Sequence, residues 1–202
     1  MGQGLQVYTS NAPRSTHRGI EAKVDWRPLP RALPGIRLQA SYSYNDQRFV
    51  DFRERIAAGS QSVLLDDGGN AIPGVIPASA SGRIGYDQSK GSLRGLGAYV
   101  ETIYRGRYQI DNANLLTVAP YALLNLNLHY DPPRGRGWLS RASFYATLQN
   151  VLDRPYAATA QIISDGLDPT GSPKNAAALA NVNSSITAGE PRTLFVGIRM
   201  RL

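Results

Sequence analysis

Cysteine is absent from this chain and histidine occurs only twice. Without thiols there is no disulfide framework, no thiolate metal site and no cysteine nucleophile. His17, in an expected loop, and His129, on the polar side of an expected strand, lack the spacing of a metal site and read as plain polar residues. Charge is also sparse: charged residues make up 18% of the chain, below the roughly 25% usual in soluble domains. No apolar run approaches the ~20 residues that a membrane-spanning helix needs, so α-helical insertion is excluded. A spanning strand needs only ~9–11 alternating residues and stays open. The start, Met1 to Tyr8, has neither the basic beginning nor the apolar stretch of an export signal. An exported protein beginning this way is expected to be a piece of a longer one.

The charge present is mostly arginine, with 22 basic against 15 acidic residues and a net of +7. These arginines are scattered singly, with no basic run or recognition helix, which argues against nucleic acid as a partner. Asp66-Asp67-Gly68-Gly69-Asn70 supplies oxygen ligands, yet it lacks the spacing and terminal Glu of a calcium loop and reads as a tight turn. Nothing resembles a catalytic constellation, so neither an enzyme nor a bound cofactor or metal is expected.

Alternation is what the sequence has in quantity. Ile36, Leu38, Ala40, Tyr42 and Tyr44 fall on one side of an extended segment, with Arg37, Gln39, Ser41 and Ser43 on the other. Leu124, Leu126, Leu128 and Tyr130 likewise oppose Asn125, Asn127 and His129, and Leu194, Val196, Ile198 and Met200 oppose Phe195, Gly197 and Arg199. This period predicts about eight strands, near 3–10, 16–27, 35–49, 78–88, 93–109, 118–131, 140–150 and 191–202. Their expected lengths exceed the 5–6 residues usual in soluble strands.

Connections supply a second signal. Those near 28–34, 89–92 and 132–139 are short and rich in proline and glycine, while 50–77 and 151–190, on the other side with 11–15 and 110–117, are very long. Such sidedness is expected of an up-and-down membrane barrel. Trp26, Tyr86, Tyr130 and Trp138 near the short turns, and Tyr44, Tyr104, Tyr108 and Tyr121 near the long loops, suggest two interfacial aromatic girdles. The competing architecture, a soluble β-sandwich acting as a binding module, would show similar alternation with a packed core. A self-contained outer-membrane barrel of eight strands, structural or channel-forming, is the other alternative.

Two segments carry a family resemblance. Phe144 to Tyr156, containing Asn150-Val151-Leu152-Asp153 and ending in Tyr156, resembles the penultimate strand and Asn-Leu-x-Asp-x-x-Tyr box of TonB-dependent outer-membrane receptors. Gly189-Glu190-Pro191-Arg192, leading into residues 193–202, resembles the start of their last strand. Weaker echoes are Arg18-Gly19-Ile20-Glu21-Ala22, Ala40 to Tyr44, and Gly74-Val75-Ile76-Pro77. The resemblance implies an all-β, antiparallel, up-and-down transmembrane barrel segment covering residues 1–202. It would be the C-terminal part of a larger barrel whose plug domain and earlier strands lie elsewhere. It implies a receptor for TonB-energised uptake of a ferric siderophore or similar scarce nutrient, in the outer membrane, with its C-terminus periplasmic. Implied partners are outer-membrane lipid, the TonB complex through the plug, and the barrel-assembly machinery through the last strand. That machinery usually reads an aromatic final residue, where this chain has Leu202.

On this reading Asn150, Asp153, Tyr156, Gly189, Pro191 and Arg192 are structural signature residues. Arg37, Arg83, Arg105, Arg199 and Arg201 lie on polar faces and would line the lumen. There they could meet an anionic ligand, although pairing with carboxylates such as Glu21 or Glu101, or with the plug, is the stronger expectation. Direct ligand contacts are expected mainly on the two long loops.

Overall fold

Each long strand carries apolar, frequently β-branched or aromatic, residues at every second position, a pattern that an extended backbone sorts onto one face. The computed structural model describes residues 14–58, 60–133, 135, 138–161, 166–174 and 185–200. Seven strands form one antiparallel sheet: β1 (Arg14–Trp26), β2 (Ile36–Asp51), β5 (Ala78–Asp87), β6 (Leu96–Arg105), β9 (Tyr121–Tyr130), β10 (Ala142–Gln149) and β13 (Thr193–Met200). The spatial order is the chain order, β1-β2-β5-β6-β9-β10-β13, so each strand pairs with the next, and among the described residues the sheet is open at β1 and β13.

The short turns lie at one end. At the other, the long connections fold into hairpins of their own: β3 (Arg53–Ala58) with β4 (Gln61–Asp66), β7 (Tyr108–Gln109) with β8 (Thr117–Val118), and β11 (Ala157–Gln161) with β12 (Ser185–Ala188). The expected strand at 3–10 lies outside the described residues. The expected strand at 93–109 is broken: β6 stops at Arg105, the Gly106 amide closes on the Ala78 carbonyl at 2.8 Å, and Tyr108 turns away to pair with Val118.

Register divides the sheet into two surfaces. Trp26, Leu38, Ile84, Val100, Leu126, Leu148 and Leu194 are successive cross-strand partners, an unbroken apolar row over all seven strands. Among the described residues nothing covers it: Ile84 is 62% and Leu194 63% exposed. A soluble sandwich would bury that row against a second sheet, and among the described residues no second layer exists. The buried apolar cluster, Tyr108, Val118 and Ala160, lies instead among the long connections. A continuous uncovered apolar face of this extent is a surface for lipid rather than water.

Aromatic placement follows the girdle pattern only in part. Trp26, Tyr86 and Tyr130 stand on the apolar face at the short-turn end, and Tyr44 and Tyr104 on the same face at the other end. Tyr108 and Tyr121 do not belong to that second band. Tyr108 is 8% exposed in the loop cluster, its hydroxyl accepting the Ala160 amide at 3.0 Å. Tyr121 faces the polar side opposite Arg105 and packs on Tyr156, ring centroids 4.5 Å apart. Proximity to a strand end could not reveal which face each occupied. His17, expected in a loop, is inside β1 opposite Gln47. On β13, Gly197 sits opposite Tyr145, and a Cβ there would overlap the tyrosine ring.

Candidate functional site

The polar face is a ladder of side chains joined across strands. Asp25 on β1 accepts from Arg37 Nε at 2.8 Å and from Gln39 Nε2 at 3.2 Å. Arg83 donates to Glu101 at 2.7 Å, its guanidinium carbon 4.3 Å from the Tyr99 ring centroid, and Asn125 Nδ2 reaches the other Glu101 oxygen at 3.3 Å. Next along, Asn127 donates to the Thr147 hydroxyl at 2.8 Å, and His129 bridges Asn127 (3.0 Å) and Asp87 (2.9 Å). Glutamine, asparagine and threonine at alternate positions make such bonds possible because facing residues in an antiparallel pair lie within side-chain reach.

The five polar-face arginines therefore separate. Arg37 and Arg83 are committed to carboxylates within the sheet, and the partner of Arg37 is Asp25, not Glu21. Arg105 stands opposite Tyr121 near the long connections, and Arg199 opposite Ser143 on the edge pair. Arg201 lies outside the described residues. The four described guanidiniums do not converge on one point.

The signature residues do converge. At the end of β10 the chain turns sharply through Asn150 and Asp153, with φ of 47° and 50°, a region that Asn and Asp tolerate better than most residues. Asn150 is 3% exposed and uses its whole amide: Nδ2 donates to the Arg154 carbonyl (2.9 Å) and the Glu190 carbonyl (3.1 Å), and Oδ1 accepts the Arg154 amide (3.0 Å). Its own amide donates to Asn125 Oδ1 at 3.0 Å. Asp153 Oδ1 accepts the Arg192 amide at 2.9 Å, which fixes the approach to β13. Tyr156 lies flat against Gly189, where a Cβ would fall inside the ring, and the Gly189 amide donates to the Tyr156 carbonyl at 2.8 Å. Pro191 and Arg192 are exposed beside this clamp. The box joins the β9–β10 end to the beginning of the last strand.

Above the polar face the long connections bind one another. Asn114, itself at φ 57°, pairs its side-chain amide with the Ala71 backbone in both directions, at 2.8 and 2.9 Å. Asn70 donates to the Asn112 carbonyl at 2.8 Å, and Asn112 to Glu54 at 3.1 Å. Asp111, 2% exposed, accepts the Leu115 and Leu116 amides at 3.3 and 2.8 Å. The 166–174 segment folds on Asp168, whose carboxyl is held below the usual carboxylate range by the Thr170 hydroxyl and the Ser172 and Thr170 amides. The Asp66–Asn70 segment is a tight turn, with Gly69 at φ 88° and the Gly68 amide on Asp66 Oδ1 at 3.1 Å. No three metal-ligating side chains gather among the described residues. Of the crown residues, Asn70 was read from sequence only as part of a tight turn, and Asp111, Asn112 and Asn114 were not singled out. Their density of turn-forming Asn and Asp was the available signal.

Comparison with known proteins bears on this architecture directly. The family model described as TonB dependent receptor-like, beta-barrel, matches residues 2–151. No curated protein matches the chain by sequence. Among solved structures, the ferric yersiniabactin uptake receptor FyuA from Yersinia pestis aligns at TM-score 0.62 and 17% identity, covering 92% of this chain and 23% of the receptor. The siderophore receptor PiuA from Acinetobacter baumannii aligns at 0.64 and 16% identity, covering 91% and 21%. The copper transporter OprC aligns at 0.57 and 14% identity, covering 92% and 24%. At these identities the likeness is one of fold, and the chain spans about a fifth to a quarter of those receptors' length. Consecutive antiparallel hairpins, a lipid-type face backed by a polar ladder, and a family model matching most of the chain lead to one assignment: this chain belongs to the family of TonB-dependent receptor β-barrels.

Proposed function

We propose that this chain is the C-terminal part of the barrel of an outer-membrane receptor that takes up a ferric siderophore with energy delivered through TonB. The plug domain, the TonB contact and the earlier strands would belong to the rest of that protein, and the C-terminus would face the periplasm. The observation that carries this reading is the division of seven consecutive strands into an uncovered apolar row and a hydrogen-bonded polar ladder. In hydrocarbon every backbone N–H and C=O needs a partner within the protein, so such a sheet is stable only as part of a closed barrel. Among the described residues β1 and β13 are open edges; the isolated chain is expected to aggregate, since free edges template further pairing.

Within the barrel, Arg37 and Arg83 brace the wall, while ligand selection belongs to the crown of long connections and to Arg105 below it. The siderophore assignment is supported by the yersiniabactin and siderophore receptors among the structural relatives. Uptake of radioactive iron loaded on hydroxamate, catecholate and carboxylate siderophores, in cells with and without the full-length receptor and with and without TonB, tests it. TonB-dependent uptake of one chelate is expected. Copper uptake with none of iron would replace the proposed ligand, and uptake without TonB would refute the energised mechanism.

A further inference from the structure

Charge in this chain is sorted by end. The turns at 27–35, 88–95 and 131–141 contain seven basic residues against the single acid Asp131, whereas the connections at 52–77, 106–120 and 150–192 contain six basic and eight acidic ones. Arg27, Arg31, Lys90 and Arg94 are exposed on the short-turn rim, and the ion pairs there, Asp25–Arg37 and Asp87–His129, do not engage them. Between these cations project Leu29, Leu33 and Leu93, at 47%, 41% and 59% exposure. Exposed leucines alternating with cations, just beyond the Trp26, Tyr86 and Tyr130 band, form a surface suited to the boundary between acyl chains and headgroups.

A groove connects this rim with the apolar face. A cleft of about 200 Å³ begins at Leu93 and Leu96 beside the Lys90–Arg94 turn. It shares Tyr86, Ala98 and Leu128 with a second cleft of about 530 Å³, which extends to Ile84 and Leu126. Ala98 opens the dent, its small side chain standing between the larger Tyr86 and Leu128 that pair with it on either side.

We propose that this rim and groove bind an anionic phospholipid, its phosphate held by Lys90 and Arg94 and one acyl chain lying along Leu93, Ala98 and Leu128. The proposal rests on the barrel reading above, which puts this face in lipid. Charge complementarity selects the occupant: a zwitterionic headgroup gains little net attraction from a cluster of one sign, while each Lys or Arg near an anionic surface contributes roughly a fivefold preference. A free phosphate ion would leave the apolar groove unused. A lipid entering from the long-connection side would meet the rim with the acidic excess.

The test uses the full-length receptor reconstituted in vesicles and spin-labelled phosphatidylglycerol and phosphatidylcholine as probes. The expected result is flotation with the vesicles and roughly a twenty-fivefold preference for phosphatidylglycerol. Lys90→Gln with Arg94→Gln, in an exposed turn, should cut that preference below about threefold, and Ala98→Phe should weaken both lipids without changing their ratio. Arg53→Gln with Arg55→Gln at the opposite end should change nothing. A receptor that floats but shows no preference, or a preference indifferent to Lys90 and Arg94, overturns the lipid site and leaves the barrel standing. Displacement of the labelled lipid by millimolar inorganic phosphate also overturns it, by identifying a bare anion site. Failure to float refutes the barrel reading and the lipid site with it.

Discussion

Replacing Asn150 should release the beginning of the last strand. The side chain makes three hydrogen bonds from a position that is 3% exposed, to both backbone groups of Arg154 and to the Glu190 carbonyl. Removing it leaves part-buried main-chain groups of Arg154 and Glu190 unpaired, at about 1 kcal/mol each. Alanine must also adopt the positive φ of 47°, which costs a side chain without local polar compensation roughly 1–2 kcal/mol. Asn150→Ala should therefore weaken the clamp by about 4 kcal/mol and Asn150→Gly, which is free of the backbone penalty, by about 3 kcal/mol. Asn150→Asp keeps the acceptor for the Arg154 amide and should fall in between wild type and glycine. Local opening is the right observable, because global unfolding of a large barrel is not two-state. In the full-length receptor, hydrogen exchange of peptides spanning 151–156 and 189–195 should accelerate roughly a hundredfold to a thousandfold in the alanine variant, at 1.4 kcal/mol per tenfold. Acceleration under threefold would refute the clamp. Wild-type exchange in the glycine variant would show that only backbone geometry matters at this position.

Gly189→Ala places a Cβ within the Tyr156 ring; it should destabilise the same peptides by about 2–3 kcal/mol, and Tyr156→Ala in the same molecule should recover part of the loss, a coupling read by a double-mutant cycle. Leu126→Arg on the apolar row should impair refolding into lipid vesicles by about 2–4 kcal/mol, while Asn127→Arg on the polar face is tolerated, as scored by heat-modifiable gel migration. Spin labels at the same two positions should report hydrocarbon and water respectively, and two wet labels would overturn the membrane assignment. Arg83→Ala should destabilise the wall by about 1 kcal/mol, given a partly exposed pair, yet leave chelate affinity within twofold in an equilibrium binding assay. Asn114→Ala should speed hydrogen exchange in residues 67–72 as well as in 108–118, since its amide pairs with Ala71; an effect confined to its own segment would deny that the crown is cross-braced.

Period-2 alternation made the sheet legible because one face of every strand had to be apolar throughout. Leu126 and Asn127 declare their faces by spacing alone, and register follows once each strand pairs with its successor. Sequence was weaker where contacts are not periodic. Tyr108 and Tyr121 looked like girdle residues because they lie near strand ends, but one is buried beneath a connection and the other turned to the polar side by the strand's own pleat. Asp25 as the partner of Arg37 was missed for a related reason: the two are 12 residues apart, and only the β1–β2 register brings them together. The signature box was readable as a motif, whereas the work of Asn150 on Glu190, 40 residues away, needed the fold.

The Tyr145 ring resting over Gly197 has a consequence for assembly. Sliding β13 by one position would bring Val196 or Ile198 under that ring, where the bare backbone of the glycine alone leaves room, and would also turn the strand's greasy side inward. The terminal strand thus carries its own alignment mark. A slipped β10–β13 pair is therefore rejected by side-chain overlap at the moment of contact, before any bilayer tests its greasy side.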